Sequence, residues 1–292
     1  MPTTRRRTVT TADGVTLNVV EAGDPAAPPL VLLHGFACSS RYWQRQLADP
    51  VLTERFRVIA PDLRGHGDSQ TDLAEAQMSA DSMDGHARLW AHDVDAVCDG
   101  LEAPVLVGWS FGGAVLQSHA YVHGGIGNAA AVVLMNVPPL LGPPVEGEPL
   151  AELVSPEALG ALVATTRGEV EDFTVAVFAR GPHDGSIDAA DLAMAEEVAR
   201  QCPASVCSAM LGYAFDFRTF IAALPQRERD RITAVVADED QIFHAEPMHA
   251  VWQHAGARTV RVPGEGHALF LRDPDRFRDV LLDCLATSTA ER

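Results

Sequence analysis

An α/β fold is what this sequence predicts: a mostly parallel eight-stranded sheet flanked by helices and interrupted by a helical cap. Three observations carry the expectation. Short, nearly continuous apolar runs ending in turn residues alternate with stretches of helical spacing, the pattern of parallel strands buried on both faces. From residue 138 to residue 225 the alternation gives way to Pro/Gly-rich and helical sequence without a convincing strand. The chain has 292 residues, enough to bury one large core and still carry an insertion.

The elements follow in order. "RTVTTADGVTLNVVEAG" reads as a hairpin turning at Asp13-Gly14. "PLVLLHG" (29 to 35) and "RVIAPDL" (57 to 63) are buried parallel strands, and the serines of the intervening "SSRYWQRQL" suit the cap of a short helix. "MDGHARLWAHDVDAVCDGL" sets Leu89, Val94, Val97 and Leu101 at helical spacing and stops at Gly100. "PVLVGWS" is a strand, "FGGAVLQSHAYVHG" a helix closed by glycine, and "AAAVVLMNV" another buried strand. After the cap, "RITAVVADED" resumes the sheet, "AEPMHAVWQHA" is a helix, "ARTVRVPGEGH" the last strand and "DPDRFRDVLLDCL" a closing helix with aspartate at its start. The core is therefore expected over 1–137 and 226–292, and the cap over 138–225. No repeat or low-complexity tract intervenes.

Composition narrows the chemistry. The 22 Lys+Arg residues are all arginine, which closes routes that need a lysine amine: Schiff bases, pyridoxal phosphate, and P-loop or kinase phosphate transfer. A formal net charge of −18 repels nucleic acid and anionic membranes. No apolar run reaches the roughly 18 residues of a membrane span, and "MPTTRRRTVT" lacks the apolar stretch of an export signal. Five cysteines without framework spacing suit a reduced compartment. A cytoplasmic chain acting on a small molecule is expected, and its oligomeric state is not legible.

Gly108-Trp109-Ser110-Phe111-Gly112 matches G-x-S-x-G between a strand and a helix. A serine on so sharp a turn is strained, and glycine on either side leaves room for neighbouring backbone. The helix behind it aims free N–H groups where an oxyanion would form. The bland alternative is a turn whose serine merely caps that helix. A serine hydroxyl needs a base, and the base a carboxylate. Among 11 histidines, His267 follows the last strand in a glycine-flexed loop able to fold back over the strand ends. "AVVADED" ends a strand with three carboxylates; alternation puts Asp238 and Asp240 on one side and Glu239 on the other. Spacing alone leaves both aspartates open.

Taken together, "LLHGF", "PDLRGHGDS", "GWSFGG", "ADEDQIF" and "GEGH", in this order over essentially the whole chain, resemble the α/β-hydrolase superfamily, whose triad order is Ser, Asp, His. The acid of that family closes a G-x-x-D pattern, which falls here on Ala237-Asp238-Glu239-Asp240. The resemblance thus implies Asp240, with Asp238 second because Ala237 replaces the glycine. It also implies that the backbone amides of Phe36 and Phe111 form the oxyanion hole. Serine at the elbow disfavours epoxide hydrolases and haloalkane dehalogenases, which carry aspartate there. The chain looks most like the small esterases that include cofactor-free haloperoxidases, lactonases and carbon–carbon bond hydrolases.

Other candidates stand outside that set. His34 and "RGHGDS" suit turn geometry rather than chemistry. His119 and His123 share a helix face at i, i+4, but the sequence shows no third ligand. Cys202 and Cys207 lack a second pair, Phe173, Val177 and Phe178 are a pocket or core stripe, and Trp109 is expected beside the substrate. The implied activity is a serine hydrolase for a small to medium, mainly apolar ester or lactone, without cofactor or metal. A lyase or carbon–carbon cleaving enzyme, a peptidase and a binding module are the alternatives.

Overall fold

The computed structural model describes residues 3–141, 153–180 and 186–289. Most of the Pro/Gly-rich approach to the expected cap lies outside the described residues. Eight strands form one sheet: β1 (Arg5–Thr10), β2 (Thr16–Ala22), β3 (Pro29–Leu33), β4 (Arg57–Pro61), β5 (Val105–Trp109), β6 (Ala131–Met135), β9 (Ile232–Ala237) and β10 (Arg258–Val262). Their order is β1-β2-β4-β3-β5-β6-β9-β10. β2 runs antiparallel to β1 and β4, and every other pairing is parallel. β3, β5, β6 and β9 are buried at every position, which explains why they read as continuous apolar runs instead of alternating ones.

Helices α1 (Gln44–Ala48), α2 (Pro50–Arg55), α3 (Met83–Cys98) and α4 (Phe111–His123) lie between the first six strands. α3 packs on α4. α11 (Ala245–His254), α12 (Leu269–Arg272) and α13 (Pro274–Thr289) accompany the last two strands. Trp43, just ahead of α1, stacks on Phe270 of α12 at 4.0 Å and meets Phe277 of α13 at 5.9 Å, joining helices distant in sequence. The closing helix starts as expected, with Asp273 accepting from the Arg276 N–H.

Between β6 and β9 come α5 (Pro156–Thr165), α6 (Glu171–Phe178), α7 (Ala189–Gln201), α8 (Ala204–Leu211), α9 (Arg218–Ala223) and α10 (Gln226–Arg229). Ser155 caps α5 and Asp188 caps α7. The structure corrects the strand-free reading of this stretch: β7 (Leu140–Leu141) pairs antiparallel with β8 (Phe215–Asp216). Two-residue strands are too short to show a period, so pattern reading passes over them. α7 is tied to the segment after β3 by Arg41–Glu197 and Arg45–Asp191 ion pairs, each 2.9 Å. No helix among the described residues is long and apolar enough to cross a membrane.

Topology fixes where a ligand would meet the sheet. The chain winds from β3 outward to β4, then returns past β3 to β5. The loops leaving the carboxyl ends of β3 and β5 therefore diverge and leave a crevice between them, the usual ligand position in such sheets. Leu33 sits opposite Gly108, so Phe36 and Ser110 follow from paired strand ends.

Candidate active site

The turn after β5 shows why its glycines are glycines. Ser110 has φ 52° and ψ −126°, a strained region for a side chain-bearing residue. A Cβ on Gly108 would fall 2.6 Å from the Gly112 carbonyl oxygen, and one on Gly112 would fall 2.6 Å from the carbonyl oxygens of both Leu33 and His34. Helix α4 therefore presses its first turn against the loop that carries Phe36. The Ser110 N–H donates to Met135 O at 2.8 Å, anchoring the turn to β6. Its side chain makes no capping bond to α4, which removes the bland reading of a helix-capping serine.

His267 and Asp240 are joined and hidden from solvent. His267 Nδ1 donates to Asp240 Oδ2 at 2.7 Å, with the two side chains 2% and 0% exposed. The other carboxylate oxygen accepts from the N–H groups of Ile242 (2.7 Å) and Phe243 (3.1 Å), so the buried acid is satisfied on both sides. Asp238 faces elsewhere, taking a 2.7 Å bond from Arg261 Nε. Sequence alternation set the two aspartates on one side, but β9 ends at Ala237 and the turn that follows re-aims each side chain separately.

Ser110, His267, Phe36 and Phe111 line one cavity, which encloses about 50 Å³ and is otherwise walled by apolar side chains such as Leu162, Phe173, Met210 and Phe243. Neither the Phe36 nor the Phe111 amide N–H is bonded to another group among the described residues. The Ser110 hydroxyl and His267 are not hydrogen-bonded to each other in this structure; in ligand-free sites such bonds commonly tighten only when substrate binds.

Trp109 departs from expectation. It does not line this cavity. Its side chain is 1% exposed, because strand alternation turns it away from Ser110 and under the histidine loop, where Nε1 donates to the His267 carbonyl at 2.7 Å. Asn136, with φ 48°, adds a second donor to that carbonyl at 2.9 Å through Nδ2 and accepts from the Ala237 N–H at 2.8 Å through Oδ1. β5, β6 and β9 thus all hold the histidine loop. Asn136 escaped the sequence reading, since an asparagine after a strand signals only a turn.

Helix α6 reaches both sides of the site. Phe173 packs edge-on against Phe36, ring centroids 5.5 Å apart. At its other end Val177 O accepts from Ala268 N at 3.2 Å, and a Cβ on Gly266 would fall 2.2 Å from Ala179 O. Of the stripe read in the sequence, Phe173 reaches the cavity, whereas Val177 and Phe178 are core.

The remaining candidates are structural or lie apart. His34 is fully buried, with Nδ1 donating to Gly35 O (2.9 Å) and Nε2 accepting from Leu63 N (3.0 Å); burial pushes its pKa down to about 4. His66 lies 5.0 Å from it and is pushed down to about 3, by burial and then by its neighbour. In "RGHGDS", Asp62 ahead of it accepts from Ser40 N, Asn18 Nδ2 and Asp68 N, which locks the loop. Cys207 Sγ lies 3.4 Å from Cys202 Sγ. His119 and His123 do have a third neighbour, Asp95 of α3, which sequence spacing could not show because α3 is distant in the chain.

Fold and site together define a strand–turn–helix serine at the switch point of a parallel sheet, backed by a buried Asp–His pair. The alpha/beta hydrolase family matches residues 30–280, and the chain belongs to that family. It is 38% identical over 130 residues to epoxide hydrolase A of Mycobacterium tuberculosis, covering 44% of this chain and 37% of that one. It is 36% identical over 136 residues to the bifunctional esterase/perhydrolase DCH of Acinetobacter calcoaceticus, covering 46% and 45%. These matches thus span under half the length of either relative. The structure of esterase RhEst1 from Rhodococcus sp. ECU1013 superposes with a TM-score of 0.76 at 26% identity, covering 96% of this chain and 98% of that chain.

Proposed function

We propose that this protein is a cofactor-free serine hydrolase of short to medium, mainly apolar carboxylic esters or lactones, working through an acyl-enzyme. The observation that carries the reading is the buried His267–Asp240 pair, whose histidine lines the same cavity as a strained Ser110 that makes no capping bond. In this reading Ser110 Oγ attacks the carbonyl carbon as His267 Nε2 takes its proton. Asp240 fixes the tautomer and stabilises the imidazolium. The Phe36 and Phe111 amides receive the oxyanion, each contributing about 100- to 1000-fold in rate. Collapse expels the alcohol with the proton from His267, and water then repeats the sequence on the acyl-enzyme.

Substrate class follows from shape and lining. A cavity of about 50 Å³ holds the equivalent of a few waters, which suits a short acyl group, and its apolar wall offers no partner for a charged one. Residues 138–225 act in this reading as the cap, since Leu162, Phe173, Met210 and Phe215 come from that stretch. Serine in place of aspartate at the elbow favours ester over epoxide opening, despite the likeness to epoxide hydrolase A. The likeness to two proteins named esterases supports the same choice.

The test is intact-mass labelling with a fluorophosphonate, beside hydrolysis of p-nitrophenyl esters of increasing chain length. One label per chain is expected, absent in Ser110→Ala, with acetate and butyrate turned over faster than octanoate. An unlabelled, inert wild type would overturn the proposal and favour a non-hydrolytic or binding role.

A further inference from the structure

We propose that Asp95, His119 and His123 form a binding site for a divalent transition-metal ion of the Zn²⁺ type, separate from the hydrolytic centre. Three ligand-bearing side chains from two packed helices converge here. His119 and His123 stand one turn apart on α4, which places both imidazoles on one face, with ring centroids 4.6 Å apart. Asp95 of α3 stands against both: Oδ1 is 3.1 Å from His119 Nε2 and 3.0 Å from His123 Nε2. All three ligand atoms lie within 4.8 Å of one another.

Ligand atoms held about 2.0 to 2.1 Å from a tetrahedral ion sit roughly 3.3 Å from each other, a few tenths of an ångström beyond the two carboxylate–imidazole separations, and the third separation stays within 4.8 Å. Two imidazoles and one carboxylate match the preference of Zn²⁺, Ni²⁺ and Cu²⁺, whereas Ca²⁺ and Mg²⁺ seek oxygen ligands throughout. His123 and Asp95 are 45% and 43% exposed, leaving a path for the ion and a fourth position for water.

None of the three residues lines the Ser110 cavity. The ion would therefore join α3 to α4 and stabilise the fold by binding only its native state, without entering ester chemistry. Untagged full-length protein, stripped with a chelator and titrated with ZnCl₂ by calorimetry and thermal unfolding, tests this. One equivalent should bind and raise Tm by several degrees. Asp95→Asn and His123→Gln should each weaken binding about tenfold or more and abolish the Tm shift, while circular dichroism stays unchanged. Fluorophosphonate labelling should be the same with and without chelator. Absence of binding, or full affinity in both variants, would overturn the site; loss of labelling on chelation would overturn its separateness. Labelling reports the serine alone, so failure of the metal site leaves the esterase reading standing.

Discussion

Ser110 and the two aspartates that follow β9 differ in how much each owes to its immediate neighbours. Asp240 is buried, bonded to His267 and to two backbone N–H groups, while Asp238 is bonded to Arg261 and partly exposed. Asp240→Asn should therefore lower kcat by about 10³- to 10⁴-fold, as loss of the orienting acid does in such triads. Asp238→Asn should change it by less than about threefold, because a part-exposed ion pair contributes little. Steady-state kinetics on one short ester checks both, and the reverse ranking would transfer the role to Asp238. Ser110 is legible in the sequence because two glycines are forced on either side of it by close backbone approach. Asp240 is legible only through family resemblance, since the end of β9 breaks the alternation that might have separated the two.

Where α4 meets the loop after β3, the helix is set by contacts that no side chain can tolerate. Gly112→Ala would drive a methyl against two backbone carbonyl oxygens, neither of which can swing aside as a flexible side chain could. Overpacking of this kind costs about 1 to 3 kcal/mol. A Tm lowered by several degrees is expected, together with slower acylation as the Ser110 turn and the Phe36 loop are pushed apart. Scanning calorimetry and stopped-flow acylation measure the two effects, and an unaltered Tm would contradict the close approach. The buried strands and α4 are readable as elements because apolar continuity and helical period are local properties. β7, β8 and the alliance of Asp95 with His119 and His123 are not, for they depend on residues brought together only by the finished fold.

Across the whole molecule, two buried neutral histidines make stability depend on pH. His34 and His66 have folded values of about 4 and about 3 against an ordinary 6.5. Between those limits the unfolded chain binds protons that the folded chain refuses, so stability is complete above pH 6.5 and falls as the solution is acidified. Each histidine contributes a slope of up to about 1.4 kcal/mol per pH unit. Burial raises the Asp13 and Glu21 carboxyls, but their arginine partners outweigh it and leave both lowered. Their contribution thus persists until the pH falls below the ordinary carboxylate range. Urea unfolding at pH 7.5, 6 and 5 should show this decline, and constant stability over that range would refute it. Helix α6 couples the two halves of the candidate site. Because Phe173 leans on Phe36 while Val177 and Ala179 hold the chain beside His267, substrate preference and turnover inherit the same mutations along this helix. Libraries that vary α6 should return variants in which gains in selectivity come with losses in speed. Changes at Leu162 or Leu211, which face the cavity from α5 and α8, should shift chain-length preference while the catalytic machinery keeps its tempo.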